Sequence, residues 1–186
     1  MLQHLRPAFV LLTLFTLILG IGYPLAITGV SQAVLSHAAN GSPIVLDGVV
    51  VGSELIGQNF TSARYFHSRP SATGTPYDAA NSSGSNLGPL SQKLIDRVKA
   101  DIAAQSLTGA IPADAVETSG SGLDPHISPA YAFAQVARIA RERNLAEAQV
   151  MAKVSEFIEG RLLGIVGEPR VNVLKLNIAL DTLAIN

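Results

Sequence analysis

The chain opens on an unbroken apolar run, then changes to short β-branched segments, a long polar stretch and a series of amphipathic blocks. Residues 8–30, AFVLLTLFTLILGIGYPLAITGV, carry no charge. At about 1.5 Å of rise per residue they make a helix of roughly 35 Å, enough to cross a hydrocarbon core of about 30 Å with some tilt. Backbone groups find no water there, so the run is predicted to be helical despite Gly20, Gly22 and Pro24. Residues 31–43 (SQAVLSHAANGSP) are small and uncharged, as suits a stalk or a surface extension of the helix.

The pattern then shortens. Residues 44–46 (IVL) and 49–51 (VVV) flank Asp47-Gly48, a strong hairpin signal, and residues 52–60 (GSELIGQNF) are expected to extend the sheet. Residues 61–90 are rich in Ser, Gly, Asn and Pro and predict a long loop. Three helices follow. Ser91 caps residues 91–106, with Leu94, Ile95, Val98 and Ile102 on one face, Lys93, Asp96, Arg97 and Asp101 outward, and Gly109 as the stop. Ser128-Pro129 opens the next, burying Phe133, Val136 and Ala140 and leaving Arg138, Arg141 and Arg143 in solvent. Asn144 with Glu147 resembles a capping box for the third, whose stripe is Val150, Met151, Val154, Phe157 and Ile158 and whose end is Gly160. In residues 171–180, Leu174, Leu176, Ile178 and Leu180 recur at period two and predict a closing strand. The expected fold class is α+β: one N-terminal transmembrane helix (8–30), a stalk (31–43) and a single mixed helix/sheet domain (44–186).

Charge and composition add location. Arg6 and the N-terminal amine precede the apolar run and the next basic residue is Arg64, which predicts residues 1–7 in the cytoplasm and the domain outside it. A cleaved signal is the competing reading, with Ser31-Gln32-Ala33 or Ser36-His37-Ala38 as the cleavage site. The run exceeds the usual apolar core of about 7–15 residues and favours a retained anchor. The net charge of −1 offers nothing to nucleic acid, and the absence of cysteine excludes disulfides and thiolate metal sites.

Motifs for phosphate cradles, zinc proteases, nucleophile elbows and calcium loops are all missing. The densest polar cluster is TSGSGLDPHISP (118–129), where Ser119, Ser121, Asp124 and His126 crowd together. A serine hydrolase needs its triad to converge from separate elements, and a metal needs three or four ligands, so the cluster reads as a rigid turn. Within residues 61–90, Tyr65, Phe66 and Tyr77 with Arg64 and Arg69 are residue types that anchor interfaces or pin a loop to its core; both readings stand. In the apolar run, Thr16 with Gly20 and Gly22 with Ala26 are small-xxx-small pairs that permit close helix approach. That run holds no acidic or basic residue, so it is suited to holding rather than conducting.

Six strings in one order carry a resemblance: YPLAITG (23–29), GSELIGQ (52–58), YFHSRPSA (65–72), GSNLGP (84–89) with Asn86, SGSGLDPHISP (119–129) and GEPRVNVLKLNIALD (167–181). Together they resemble KdpC, the C subunit of the bacterial high-affinity potassium-transporting ATPase. The resemblance implies a single span in the bacterial inner membrane and a domain outside it. The implied partners are a potassium-channel-like subunit, a P-type ATPase subunit and a very small membrane subunit. It also implies that ATP and potassium are handled by the complex, with no cofactor or catalytic residue assigned to this chain, and that the subunit is a catalytic chaperone raising the ATP affinity of the pump subunit. The alternative reading is an independent exported binding protein or hydrolase using loops 61–90 and 118–129.

Overall fold

The computed structural model describes residues 2–105, 107 and 109–183; Ser106, the last residue of the first predicted amphipathic helix, and the extremes of the 1–7 and 44–186 segments lie outside the described residues. The chain divides into two compact units, residues 1–51 and 52–186.

In the first unit, helix α1 (Leu5–Leu17), a π-helical turn (Ile18–Gly22) and helix α2 (Tyr23–Val34) run on without a break. The result is one 30-residue helix, longer than the uncharged run at both ends, whose most apolar 18-residue stretch has a mean hydropathy of 2.2. Residues 3–30 are all exposed. A surface that apolar is at home only in lipid or against other membrane helices. The π turn has a local cause. Pro24 brings no N–H and its ring crowds the carbonyl one turn back, so the helix widens just before it and Tyr23 N–H reaches Ile18 O, five residues back.

Within residues 31–43, α2 runs to Val34 and a short helix α3 (Ser36–Ala39) follows. Strands β1 (Pro43–Leu46) and β2 (Val49–Ser53) then pair as a hairpin. Asp47 (φ 49°) and Gly48 (φ 79°) both take the left-handed conformation that a two-residue hairpin turn needs. Contrary to the expectation from residues 52–60, the sheet does not extend through residue 60. Past Ser53 the chain turns back, and only a single bridge joins Ser53 to Ile56.

The second unit holds α4 (Gln92–Ala104), β3 (His126–Ile127), α5 (Pro129–Arg143), α6 (Glu147–Glu156), β4 (Ile158–Glu159), β5 (Arg170–Asn172) and α7 (Val173–Leu183). The strands form one antiparallel sheet in the order β3-β5-β4, with Val171 opposite both Ile127 and Ile158. Phe66, Ile127, Tyr131, Val136, Ile139, Val150, Val154, Val171, Leu176 and Leu180 meet in the core. Fully burying a side chain such as Phe66 contributes roughly 1.5–3 kcal/mol. As expected, Ser128 caps α5: its Oγ accepts from Tyr131 N–H at 3.0 Å, and Pro129 takes the first helical position.

Several local expectations are corrected. Residues 173–180 are helical, because Val173, Leu176, Asn177 and Leu180 fall on one face at helical spacing and all are buried. The period-two pattern of leucines fitted a strand equally well, and packing decided. Asn144 does not open α6 but ends α5, with φ 54° in the left-handed conformation that Asn tolerates. Helix α6 starts after Ala146, whose N–H donates to Gln149 Oε1 at 3.2 Å. It ends at Glu156 rather than Gly160, and Met151 is exposed while Val150 and Val154 carry the stripe. Helix α4 ends at Ala104, ahead of Gly109, and buries no residue fully. Its inward face is Leu94, Arg97, Val98 and Asp101, whereas Ile95 and Ile102 are exposed. Phe133 is also exposed, and Arg143 is buried.

Candidate functional site

The long loop 61–90 is ordered, and it is held by side chains of α5 and α7 rather than by a sheet. Asn177 accepts from Phe66 N–H at 2.8 Å and donates to Phe66 O at 3.0 Å. One residue on, Gln135 repeats the arrangement, accepting from His67 N–H at 2.8 Å and donating to His67 O at 3.2 Å. Two buried amides thus stand in for the neighbours of a β-strand, which leaves no backbone group of Phe66 or His67 unpaired in the core.

Two arginines predicted to be solvated complete this clasp. Arg138 donates to the carbonyls of Ala63 and Tyr65 and to Gln135 Oε1. Arg143, its side chain 1% exposed, reaches Arg64 O (2.7 Å), Leu180 O (3.3 Å) and Asp181 Oδ1 (2.8 Å). Its guanidinium lies 4.9 Å from the centre of the Tyr65 ring, and Tyr65 OH donates to Asp181 Oδ2 at 3.0 Å. A guanidinium offers five donors in a fixed plane, which is what three acceptors and an aromatic face around one buried cation require. His67 Nε2 lies 3.1 Å from Ser62 O. Burial, aided by the Arg138 charge, lowers its pKa and keeps the ring neutral.

The second loop, 118–128, is laced to the first. Gly57 N–H donates to Leu123 O and Ser83 N–H to Ser121 O, both at 2.9 Å, and Ser71 Oγ donates to Gly122 O at 2.7 Å. Gly122 has φ 68°, and a Cβ there would lie 2.7 Å from Ser83 O and 2.8 Å from Thr73 Cγ2, so glycine is required on both counts. Tyr77 OH donates to Arg69 O at 2.8 Å; its burial pushes the phenol up to about 12.

Arg69, Asp124 and His126 come together at the edge of this seam. Arg69 Nη1 is 3.1 Å from Asp124 Oδ2, and Arg69 also donates to the carbonyls of Glu117 and Thr118. Asp124 Oδ1 accepts from His126 N–H at 2.9 Å and faces His126 Nδ1 at 3.5 Å. Burial alone would raise the Asp124 pKa; the His126 bonds and the Arg69 charge outweigh it and hold the carboxyl below the usual range. On the other side of the ring, Nε2 lies 3.9 Å from Glu159 Oε2, which is itself 2.9 Å from Arg170 Nε. Arg69, Asp124, His126 and Arg170 line an open cleft of about 450 Å³ with Asp114, Ser128 and Glu168.

The remaining candidates fall into place around this geometry. Ser121 Oγ accepts from Leu123 N–H at 3.1 Å, and His126 sits between the carboxylates of Asp124 and Glu159. Of its two possible roles, Phe66 takes loop anchoring, being wholly enclosed. Asn86 is exposed at φ 52° and is not brought to the cleft. Thr16, Gly20, Gly22 and Ala26 are all exposed on the apolar helix, with Thr16 Cγ2 4.0 Å from a Cβ built on Gly20. No group of three or more His, Asp or Glu side chains suited to a metal occurs among the described residues. Gln135, Arg138, Arg143 and Asn177 were missed from sequence; the available signal was an amide in the middle of an apolar helical face.

The class of protein these features define is a single-span membrane protein carrying one loop-braced α+β domain. The family model described as "KdpC: K+-transporting ATPase, c chain" matches residues 5–182, so the chain belongs to the KdpC family. It is 57% identical to the potassium-transporting ATPase KdpC subunit of Caulobacter vibrioides over 185 residues, covering 97% of this chain and 94% of the relative. The corresponding protein of Allorhizobium ampelinum is 56% identical, with 97% of each chain covered, and that of Methylobacterium nodulans 53%, with 99% of each covered.

Proposed function

We propose that this chain is the accessory subunit that holds a potassium-transporting ATPase together, with residues 1–7 in the cytoplasm, 8–30 as the span, 31–43 as the stalk and 44–186 as a domain on the outer face of the inner membrane. The observation that carries the reading is the apolar helix, 30 residues long with every side chain from 3 to 30 exposed. Within residues 8–30 it has no acidic or basic residue to pass an ion, and it presents small residues at Thr16, Gly20, Gly22 and Ala26 for close approach to other helices. Its partners are a channel-like subunit, a P-type pump subunit and a very small membrane subunit. ATP and potassium are used by those partners.

In this reading the chain makes no bond-breaking step, and any rise in the ATP affinity of the pump subunit travels through membrane-helix contacts, since an outer domain cannot touch cytosolic nucleotide. The test is deletion of the chain from a co-expressed complex. Detergent extraction should then yield separated subunits and no potassium-stimulated ATP hydrolysis; an intact, fully active complex without the chain would overturn the reading. Protease added outside intact cells should cut the domain, and resistance would place it on the cytosolic side.

A further inference from the structure

Residues 161–167 form the tip between β4 and β5, and their design is unlike that of an ordinary surface loop. Leu162, Leu163, Ile165 and Val166 are 69, 86, 80 and 61% exposed. The tip is nonetheless fixed: Leu162 N–H donates to Val166 O at 2.9 Å, Val166 N–H to Leu162 O at 3.0 Å, and Ile165 N–H to Leu162 O at 3.1 Å. Leu163 (φ 53°) and Gly164 (φ 73°) take left-handed conformations that close the turn. Arg161 reaches both carboxylate oxygens of Glu168 across the base, at 3.0 and 2.8 Å, and Arg170 pairs with Glu159 below it.

We propose that this tip is the point at which the domain seats in an apolar recess on the exposed face of an integral-membrane partner subunit. The inference rests on the accessory-subunit reading and names the contact. Size selects the occupant. The patch is on the order of a few hundred Å², short of the ~800 Å² per partner that a free-standing interface buries. It therefore cannot hold a soluble partner or a second copy unaided, and needs a partner already kept close by another contact, which the unburied membrane helix provides. Charge argues against the lipid surface. Both arginines of residues 158–172 are matched to carboxylates and no lysine occurs there, so no free cation is offered to anionic headgroups. A rigid turn also spends no ordering entropy on docking.

The chain has no cysteine, so Leu163→Cys gives a single site for an environment-sensitive fluorophore. The labelled chain is to be compared alone, in phosphatidylethanolamine/phosphatidylglycerol nanodiscs, and in the assembled complex. Emission should shift to the blue only in the complex. A shift in the nanodiscs alone would assign the tip to lipid, and a water-like spectrum in both would leave it without a partner; either overturns the proposal. Leu163→Asp suits the left-handed turn and an 86% exposed position, so the variant should fold with an unchanged circular dichroism spectrum while the yield of intact complex drops about tenfold. A full yield overturns the docking role alone. Wild-type chain that fails to co-purify with any pump or channel subunit overturns the accessory reading and this proposal with it.

Discussion

Arg143 Nη2 and Asp181 Oδ1 lie 2.8 Å apart across the join of α5 and α7, the arginine side chain 1% exposed and the aspartate 52%. The asymmetry sets what each substitution costs. Arg143→Met leaves Arg64 O, Leu180 O and the Tyr65 ring without their donor and should destabilise the full-length chain by about 3 kcal/mol. Arg143→Lys should recover less than half of that, since one ammonium cannot span three acceptors in a plane. Asp181→Asn, at a half-exposed position, should cost about 1 kcal/mol or less. Equilibrium denaturation in detergent measures all three.

Asn177 offers a sharper test. Asn177→Asp keeps an acceptor for Phe66 N–H but sets a buried carboxylate against Phe66 O, which previously received a hydrogen bond. Burial and that repulsion raise the folded pKa above the unfolded aspartate value of about 3.9, so the folded state binds the proton more tightly. Stability of the variant should fall as pH rises through the folded value and be regained on acidification, the opposite of the usual carboxylate trend. The variant should be less stable than the parent at neutral pH by about 2–3 kcal/mol, read from denaturation midpoints at several pH values.

Asp124 should behave in the ordinary direction. Its folded pKa is depressed, because the His126 bonds and the Arg69 charge outweigh the cost of burial. Its contribution is then complete above the unfolded value of about 3.9 and lost as pH falls through the still lower folded value. Asp124→Asn should be less stable than the parent at about pH 6, and the gap should narrow once the pH falls below about 3.9 and close as it passes the lower folded value. A gap that persists in acid would mean that the Arg69–Asp124–His126 group does not stabilise the seam through charge.

Two glycines in the same region should respond differently to alanine. Gly122→Ala meets Ser83 O at 2.7 Å in a left-handed conformation and should destabilise the chain by about 2 kcal/mol or more. A Cβ on Gly74 has nothing within 4 Å, and its backbone angle suits any residue, so Gly74→Ala should be neutral or slightly stabilising. Thermal unfolding of the two variants side by side gives the comparison. Ser121→Ala and His126→Ala should change stability or assembly while leaving turnover intact in whatever complex does assemble.

What the amino-acid order disclosed was set by local chemistry. Asp47-Gly48 can make few other turns, Ser128-Pro129 can start few other structures, and the uncharged run could only be a long apolar helix. Where a pattern fitted two periods, long-range packing decided. Residues 171–180 place leucines at alternate positions and also put Val173, Leu176, Asn177 and Leu180 on one helical face. The strand reading turned Asn177 outward and hid the loop clasp. Arg138 and Arg143 were misread for a similar reason, because a charged residue near a helix end is ordinarily solvated, and only a distant loop rich in unpaired carbonyls makes burial favourable. Arg69, Asp124 and Tyr65 were singled out from residue type alone; the contacts that give them their roles cross more than fifty positions of chain.

The widened turn at Ile18–Gly22 has a mechanical consequence. Taking up one residue at a π turn costs little more than a rearranged hydrogen bond and swivels everything beyond it by about 100°. The segment carrying Thr16 and the one carrying Ala26 are therefore geared to each other through a slack coupling, and torsion applied at the Val34 end of the helix can be absorbed at Gly20 before it reaches the Leu5 end.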